Sequence, residues 1–370
     1  MSQLLPGSSI GIIGGDPQIS SIVLMAKRLG YRIHHFREED EAKILLADKE
    51  VIGRYQDRQA LFNFAMHVDT VYILTNAIEI DTIVALSGKS RYYQSFELAE
   101  ISQNRIVEKL FLEEHAINVA PYGMITSIGE LPSLLSSIGF PAKLETNRFH
   151  KNYKEIMLYD HDMDDQVFQL VEEQSCMVTA FVPAQRHFSI TILRDYEDHI
   201  TILPITEDIY VDGKLKYSIA SKRMNPEWVG ELRTIASKMM RSISGSTLVS
   251  IQVVMAKNGI FYVTKVDQIP LIQHQFSSKQ MAHSFSEVLL RLSTGLGVLE
   301  CSLVEEGLIV PIYREMLEKA HVLTILKPHW EFEYFQVEGG HLQEAVGVIR
   351  LTGASSVDLV NELELSGLHD

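Results

Sequence analysis

Two strand-like runs end in opposite charges. Gly139-Phe140-Pro141-Ala142-Lys143-Leu144-Glu145 closes on a carboxylate, and Gly259-Ile260-Phe261-Tyr262-Val263-Thr264-Lys265 closes on an ammonium. Two opposite charges attract if the fold brings the strand ends together. Strand alternation sets Lys143 on the same face as Glu145. Just beyond Glu145, Arg148, Lys151 and Lys154 flank Tyr153. These cations could attract an anion, although a solvated basic loop is the commoner use of such a stretch. His187 stands alone beside a strand, where a histidine is more often structural than catalytic. Cys176 and Cys301 are far apart and lack metal-ligand spacing. They are expected to be core thiols in a reducing compartment.

The elements that must carry these residues follow from periodicity. Ser9 to Gly15 reads as a buried strand entering a glycine turn, and Ile19 to Leu29 has helical spacing that stops at Gly30. Tyr31 to Phe36 is a second strand, and Val71 to Leu74 a later strand of the same layer. This strand–helix–strand order implies a parallel sheet. Ser102 to Glu114 reads as one connecting helix. Further strands are expected at Phe140–Glu145, Met177–Val182, Phe188–Leu193, Ile200–Pro204, Ser250–Met255 and Ile260–Val266, with a long helix over Pro226–Ile243. The tail from Glu300 has strand patterns near Ile309, Val322 and Gly347. No repeat, low-complexity segment or long Pro/Gly linker interrupts the chain.

The chain of 370 residues allows two or three domains. A formal net charge of −15 argues against a nucleic-acid surface, which needs a basic stripe. No run of about 18 apolar residues is present for a membrane helix. Nor does the start have the basic and small-residue pattern of a secretory signal. A cytoplasmic location is expected.

The order of these segments resembles PurK, the N5-carboxyaminoimidazole ribonucleotide synthase family of ATP-grasp enzymes. The resemblance is carried by Ile10-Gly11-Ile12-Ile13-Gly14-Gly15, Ala26-Lys27-Arg28-Leu29-Gly30-Tyr31, Gln103-Asn104-Arg105 with Lys109 and Glu113, and Gly139-Phe140-Pro141. Phe181-Val182-Pro183, Ser189-Ile190-Thr191, the hairpin Glu207 to Ala220, and Gly340-His341 continue it. It implies an α/β ATP-grasp architecture with an N-terminal parallel-sheet domain (1–101), an ATP-grasp domain (102–299) and a small C-terminal domain (300–370). It also implies ATP and Mg2+ as cofactors and a homodimer, for which the aliphatic stretch Phe285 to Leu299 could serve, unless it is buried within one subunit.

Position by position, the resemblance breaks where chemistry is needed. Phosphoryl transfer relies on positioning and charge neutralisation. The family's phosphate-binding Lys falls at Glu145. Its glycine-rich phosphate loop falls on Phe149-His150-Lys151-Asn152-Tyr153-Lys154-Glu155, without a glycine. The nucleotide-side glutamates fall at Thr179 and His187, and the magnesium-binding carboxylates at Gln252 and Lys265. In the substrate signature, the family's Arg and first His are Ile269 and Leu271, the final His is Gln275, Pro270 is kept, and His274 is offset by one. The acidic motif of the N-terminal domain falls on Thr75-Asn76-Ala77-Ile78-Glu79. The basic residues for the substrate phosphate fall in Phe335 to Glu338, which has none. Asp16 sits in the opening glycine turn, where it would repel a phosphate.

The pattern favours a catalytically degenerate relative with a binding or regulatory role. Two alternatives stand beside it: an active, ATP-dependent carboxylation of 5-aminoimidazole ribonucleotide with bicarbonate, and a metabolite sensor using Gln252, Lys265, His274 and Arg148. The double sign change carries one geometric expectation, that Glu145 and Lys265 approach each other across the cleft.

Overall fold

A computed structural model of the chain describes residues 3–92, 94–148, 153–160 and 164–369. The fold is mixed α/β and starts with a parallel sheet. Its five strands lie in the order Lys49–Ile52, Arg32–Arg37, Ser9–Ile13, Thr70–Ile73, Arg91–Tyr92. Ser9–Ile13 is buried at every residue, as a central parallel strand covered on both faces should be. The helix Ile19–Arg28 ends with Gly30 at φ 81°, a backbone conformation that glycine adopts without strain.

The expected single helix over Ser102–Glu114 is instead two, Phe96–Gln103 and Arg105–Glu114. The break is Asn104. Its backbone is extended, at φ −132° and ψ 113°, and its side chain accepts from the amides of Ile106 and Val107. An Asn that can cap competes with helix continuation. This restart puts Arg105, Glu108 and Lys109 on a buried face.

The next unit is a four-stranded antiparallel sheet in the order Tyr122–Ile125, Cys176–Ala180, Ala142–Thr146, Glu155–Leu158. Ala142 and Leu144 enter its core with Leu131, Leu135 and Val178. Alternation then turns Lys143 and Glu145 to the other face. A nine-stranded sheet follows, from Phe261–Asp267 and Thr247–Ala256 through Ala184–Arg194 and the hairpin Thr206–Val211/Lys214–Ala220. The hairpin turn, Asp212-Gly213, has positive φ at both residues, as the two-residue loop requires. Lys214–Ala220 pairs with Glu306–Ile312, so one sheet crosses residue 300 into the C-terminal strands Gly347–Gly353 and Glu331–Tyr334. A short ladder, Val337–Glu338 on Lys43–Ile44, joins the C-terminal region back to the N-terminal layer.

One expectation about the later chain changes. Val322 lies in the helix Leu317–Leu326 rather than a strand. Its neighbours Leu317, Ala320 and Leu323 recur at helical spacing and outweigh its β-branching. The stretch Phe285 to Leu299 takes the buried use of the two open to it. Its helix Phe285–Thr294 buries Phe285, Val288, Leu289, Leu290 and Leu292 in the core shared with Ile19, Ile22 and Val23. Cys176 and Cys301 are both buried free thiols. Among the described residues, no helix is long and apolar enough to cross a membrane.

Candidate functional site

The junction between the four-stranded sheet, the helix Arg105–Glu114 and the end of the large sheet holds a chain of buried charges. Glu145, 0% exposed, is gripped by Arg105: Nε donates to Oε2 at 3.1 Å and Nη2 to Oε1 at 3.2 Å. The Tyr153 hydroxyl donates to Oε2 at 2.6 Å, and Lys143 Nζ lies 3.3 Å from the same oxygen. Thr179 Oγ1 reaches Oε1 at 3.5 Å. Burial works to raise the Glu145 pKa, but Arg105, Lys143 and the Tyr153 hydrogen bond outweigh it and hold the carboxyl below its usual range. The Tyr153 phenol is driven up by burial and the adjoining carboxylate.

Arg105 reaches further. Its Nη1 also bonds Glu108, and both terminal nitrogens reach the Thr264 carbonyl at 3.3 Å. Glu108 Oε1 accepts from the Val266 amide at 2.5 Å, which closes the helix onto the strand Phe261–Asp267. Lys109, 2% exposed, is pushed down to about 8 by burial, with the Glu108 carboxylate opposing.

Lys265 lies near this cluster, within the electrostatic reach of Glu108 and Arg105, and pairs with Asp267. Its Nζ lies 2.9 Å from Asp267 Oδ2, and this pairing raises its pKa. Asp267 Oδ1 accepts from Asn76 Nδ2 at 3.1 Å and from the Ile269 amide at 3.1 Å, and Asn76 Oδ1 accepts from Ser102 at 3.2 Å. The expected approach of Glu145 to Lys265 is therefore replaced: among the described residues no ion pair joins them, and each has its own counter-ion. Alternation puts Asp267 on the same face as Lys265, two residues away.

The remaining predicted positions divide. Thr179 lies at the cluster. Gln252 is paired in register with Lys265 on the neighbouring strand, and its carbonyl accepts from Thr264 Oγ1 at 3.1 Å. Gln252 offers one neutral side-chain oxygen and Lys265 an ammonium already bound to Asp267, so this donor pair does not fit Mg2+, which prefers carboxylates. Nor does the end of the strand fit a triphosphate, because a buried carboxylate stands there. His187 packs its ring 5.0 Å from Tyr210, and burial lowers its pKa. His274 is buried, with Nδ1 3.1 Å from Thr191 Oγ1, and burial pushes it down to about 3, which keeps it neutral. Both histidine rings pack against aromatic neighbours, His187 on Tyr210 and His274 on Phe276. Ile269 and Leu271 present aliphatic side chains. Lys154 lies 4.0 Å from Glu173 at the surface. Arg148 bridges to Asn104 by backbone pairing and lines a cavity of about 600 Å³ with Asn76, Glu79 and Gln103. Lys151 lies outside the described residues.

The glycine turn is also filled. Asp16 accepts from the amide and side chain of Gln18, both at 2.9 Å. The Glu41 side chain lies directly against Gly15, where a Cβ would clash, and its Oε2 accepts from the Glu38 amide at 3.0 Å and from the Tyr55 hydroxyl.

Arg105 is the residue that sequence reasoning placed in a helix without a role. Its partner lies 40 positions away and meets it only through folding. The signal available was a lone Arg beginning a helix that carries a second acid and base at Glu108 and Lys109.

Comparison with known proteins agrees with this architecture. The ATP-grasp domain family matches residues 110–266. The chain is 24% identical over 309 residues to N5-carboxyaminoimidazole ribonucleotide synthase of Bacillus subtilis, covering 83% of this chain and 81% of that one. The N5-carboxyaminoimidazole synthetase of Staphylococcus aureus complexed with ADP superposes with a TM-score of 0.89 at 18% identity, covering 99% and 98%. The carboxyaminoimidazole ribonucleotide synthase of Aspergillus clavatus complexed with ATP superposes with a TM-score of 0.84 at 13% identity, covering 97% of each chain.

Proposed function

Taking the chain as a PurK-like ATP-grasp protein, we propose that it has lost phosphoryl transfer and keeps the fold for a binding or regulatory role. The observation that carries this reading is the Arg105–Glu145 pair. Glu145 ends the strand that presents a cation to phosphate in the resembled family, and here its carboxylate saturates Arg105 from within. A phosphate arriving beside Glu145 would meet a like charge. At about 4 Å and an effective dielectric near 20, such a contact costs about 4 kcal/mol before the attraction of Arg105 and Lys143 is counted. The donor set at Gln252 and Lys265 supplies no carboxylate to hold a magnesium ion that would offset it.

The test is a thermal melt with and without ATP and magnesium, run beside an ATP-hydrolysis assay with 5-aminoimidazole ribonucleotide and bicarbonate. The expected result is an unmoved melting midpoint and no turnover, since a ligand of the native state raises the midpoint by mass action. A clear upward shift with turnover would establish the active synthase instead.

One observation supports a second reading, a metabolite sensor in the same cleft. Gln268 is 1% exposed, and neither its amide nitrogen nor its oxygen has a hydrogen-bond partner; Gln275 Oε1 is likewise buried and unpartnered. Buried amides of this kind suit water or an uncharged polar ligand rather than a phosphate. Stabilisation by an unphosphorylated base or amide, with none by ATP, would favour this reading. A cytoplasmic homodimer completes the proposal.

A further inference from the structure

A cavity of about 1070 Å³ lies away from the charges around Glu145. It forms where three elements meet: the edge strand Arg91–Tyr92 of the parallel sheet, the first turn of the helix Phe96–Gln103, and the turn at residues 244–246 that leads into the strand Thr247–Ala256. The helix runs about 12 Å from this cavity to Asn104, so the two places sit at its opposite ends. A space of this size suits a small molecule.

The lining offers a flat apolar wall and spare hydrogen-bond donors. Phe96 stacks on the buried Tyr92, with ring centroids 5.0 Å apart and planes inclined by 19°, and stays 38% exposed. The stack fixes the Phe96 ring and leaves apolar surface for a second flat group. Lys89 stands just beyond the helix Ile80–Ser87. Among the described residues its ammonium has no ion pair and no hydrogen bond. The amides of Gly245 and Ser246 likewise have no acceptor among them. The acids of the lining are already engaged. Asp69 Oδ2 accepts from the Ser9 amide at 2.7 Å and the Ser9 hydroxyl at 2.9 Å. Glu97 Oε2 accepts from the Ser244 amide at 3.1 Å and its hydroxyl at 3.2 Å.

We propose that this cavity binds a planar aromatic monocarboxylate, with its ring on Phe96 and its carboxylate on Lys89 and the Gly245 and Ser246 amides. An ionised acceptor makes the stronger hydrogen bonds with such donors. The charge of the lining sets the ligand's charge. Lys89 and Arg91 formally balance Asp69 and Glu97, so a polyphosphate would meet repulsion that a single carboxylate on Lys89 avoids. A neutral ring would leave Lys89 and the turn amides unused. The ligand would touch Lys89 and Phe96 of the N-terminal layer and the turn before the large sheet, which Glu97 and Ser244 already tie together at this place. The site is separate from the Glu145 cluster, and it stands or falls independently of the loss of phosphoryl transfer.

The test is a fluorescence titration of the full chain with anilinonaphthalene sulfonate, an aromatic monoanion, followed by displacement with naphthoate and with naphthamide. The expected result is saturable binding that naphthoate displaces and naphthamide does not. Lys89→Glu should weaken it roughly tenfold or more, the effect of losing one charged hydrogen bond. Lys89 is solvent-exposed, so the melting midpoint of this variant should match wild type. Ser246→Trp, which fills the cavity, should abolish binding, and its own melt shows whether it has folded. No saturable binding, or binding unchanged in Lys89→Glu, would overturn the proposal whatever Ser246→Trp does. Equal displacement by naphthamide would overturn the requirement for a carboxylate.

Discussion

Glu145 is fully buried with a bidentate Arg105 and a tyrosine hydroxyl on its oxygens, so deleting either charge strands the other in the protein interior. Breaking such a pair costs about 3–5 kcal/mol even where the intact pair contributes little. Arg105→Ala should therefore lower unfolding stability by that order in urea denaturation. Arg105→Ala/Glu145→Leu should recover much of the loss. The pH dependence has a definite sign. The Glu145 pKa is depressed in the folded state, so its contribution is fully present above the unfolded value of about 4.3 and is lost as pH falls through the folded value. Glu145→Gln should flatten the acid limb of stability below that point. An unchanged acid limb would mean that Glu145 does not titrate with unfolding. Lys143 adds a second cation to this carboxylate at 3.3 Å and lies 3.4 Å from Glu155.

At the scale of elements, Asn104 decides where Arg105 points. Its side chain accepts from two helix amides, and its extended backbone ends one helix and starts the next. Asn104→Ala should cost about 1 kcal/mol, the usual loss of an N-cap, measured by chemical denaturation. Asn104→Asp should keep the cap and most of the stability. Elements with a strong local pattern were legible in the sequence. The buried strand before Gly14, the helix stopped by Gly30 and the Asp212-Gly213 hairpin each owe their form to residues within a few positions. Asn104 was not, because helix-forming residues on both sides make Ser102 to Glu114 look continuous, and only the cap geometry divides it. The candidate site was legible as a set of departures from a family, at Glu145, Gln252, Lys265 and Thr179. Its actual wiring was not, since Arg105 meets Glu145 through tertiary packing and Lys265 meets Asp267 through alternation along a single strand.

Across the whole molecule, three carboxylates from three segments converge on the opening glycine turn. Asp16 belongs to the turn itself, Glu41 to the loop after Arg32–Arg37, and Glu344 to the C-terminal region, where its Oε2 accepts from the His341 amide at 2.9 Å. Burial is the main cause that raises the pKa of each. Repulsion adds to it: Asp16 and Glu41 act on Glu344, and Glu38 and Asp40 act on Glu41, while the Tyr55 hydroxyl and His341 oppose the rise. A carboxyl whose folded pKa lies above its unfolded value favours the fold below the unfolded value. That advantage is lost as pH rises through the folded value. The junction of the N-terminal and C-terminal layers should accordingly be tighter in mild acid than at neutral pH. Glu344→Gln removes one charge while keeping an oxygen for the His341 amide. Its melting midpoint should exceed that of wild type at pH 7 to 8, and the two should converge as pH falls toward 4. A constant difference across that range would trace the effect to packing instead of charge, and a lower midpoint at neutral pH would overturn the repulsion.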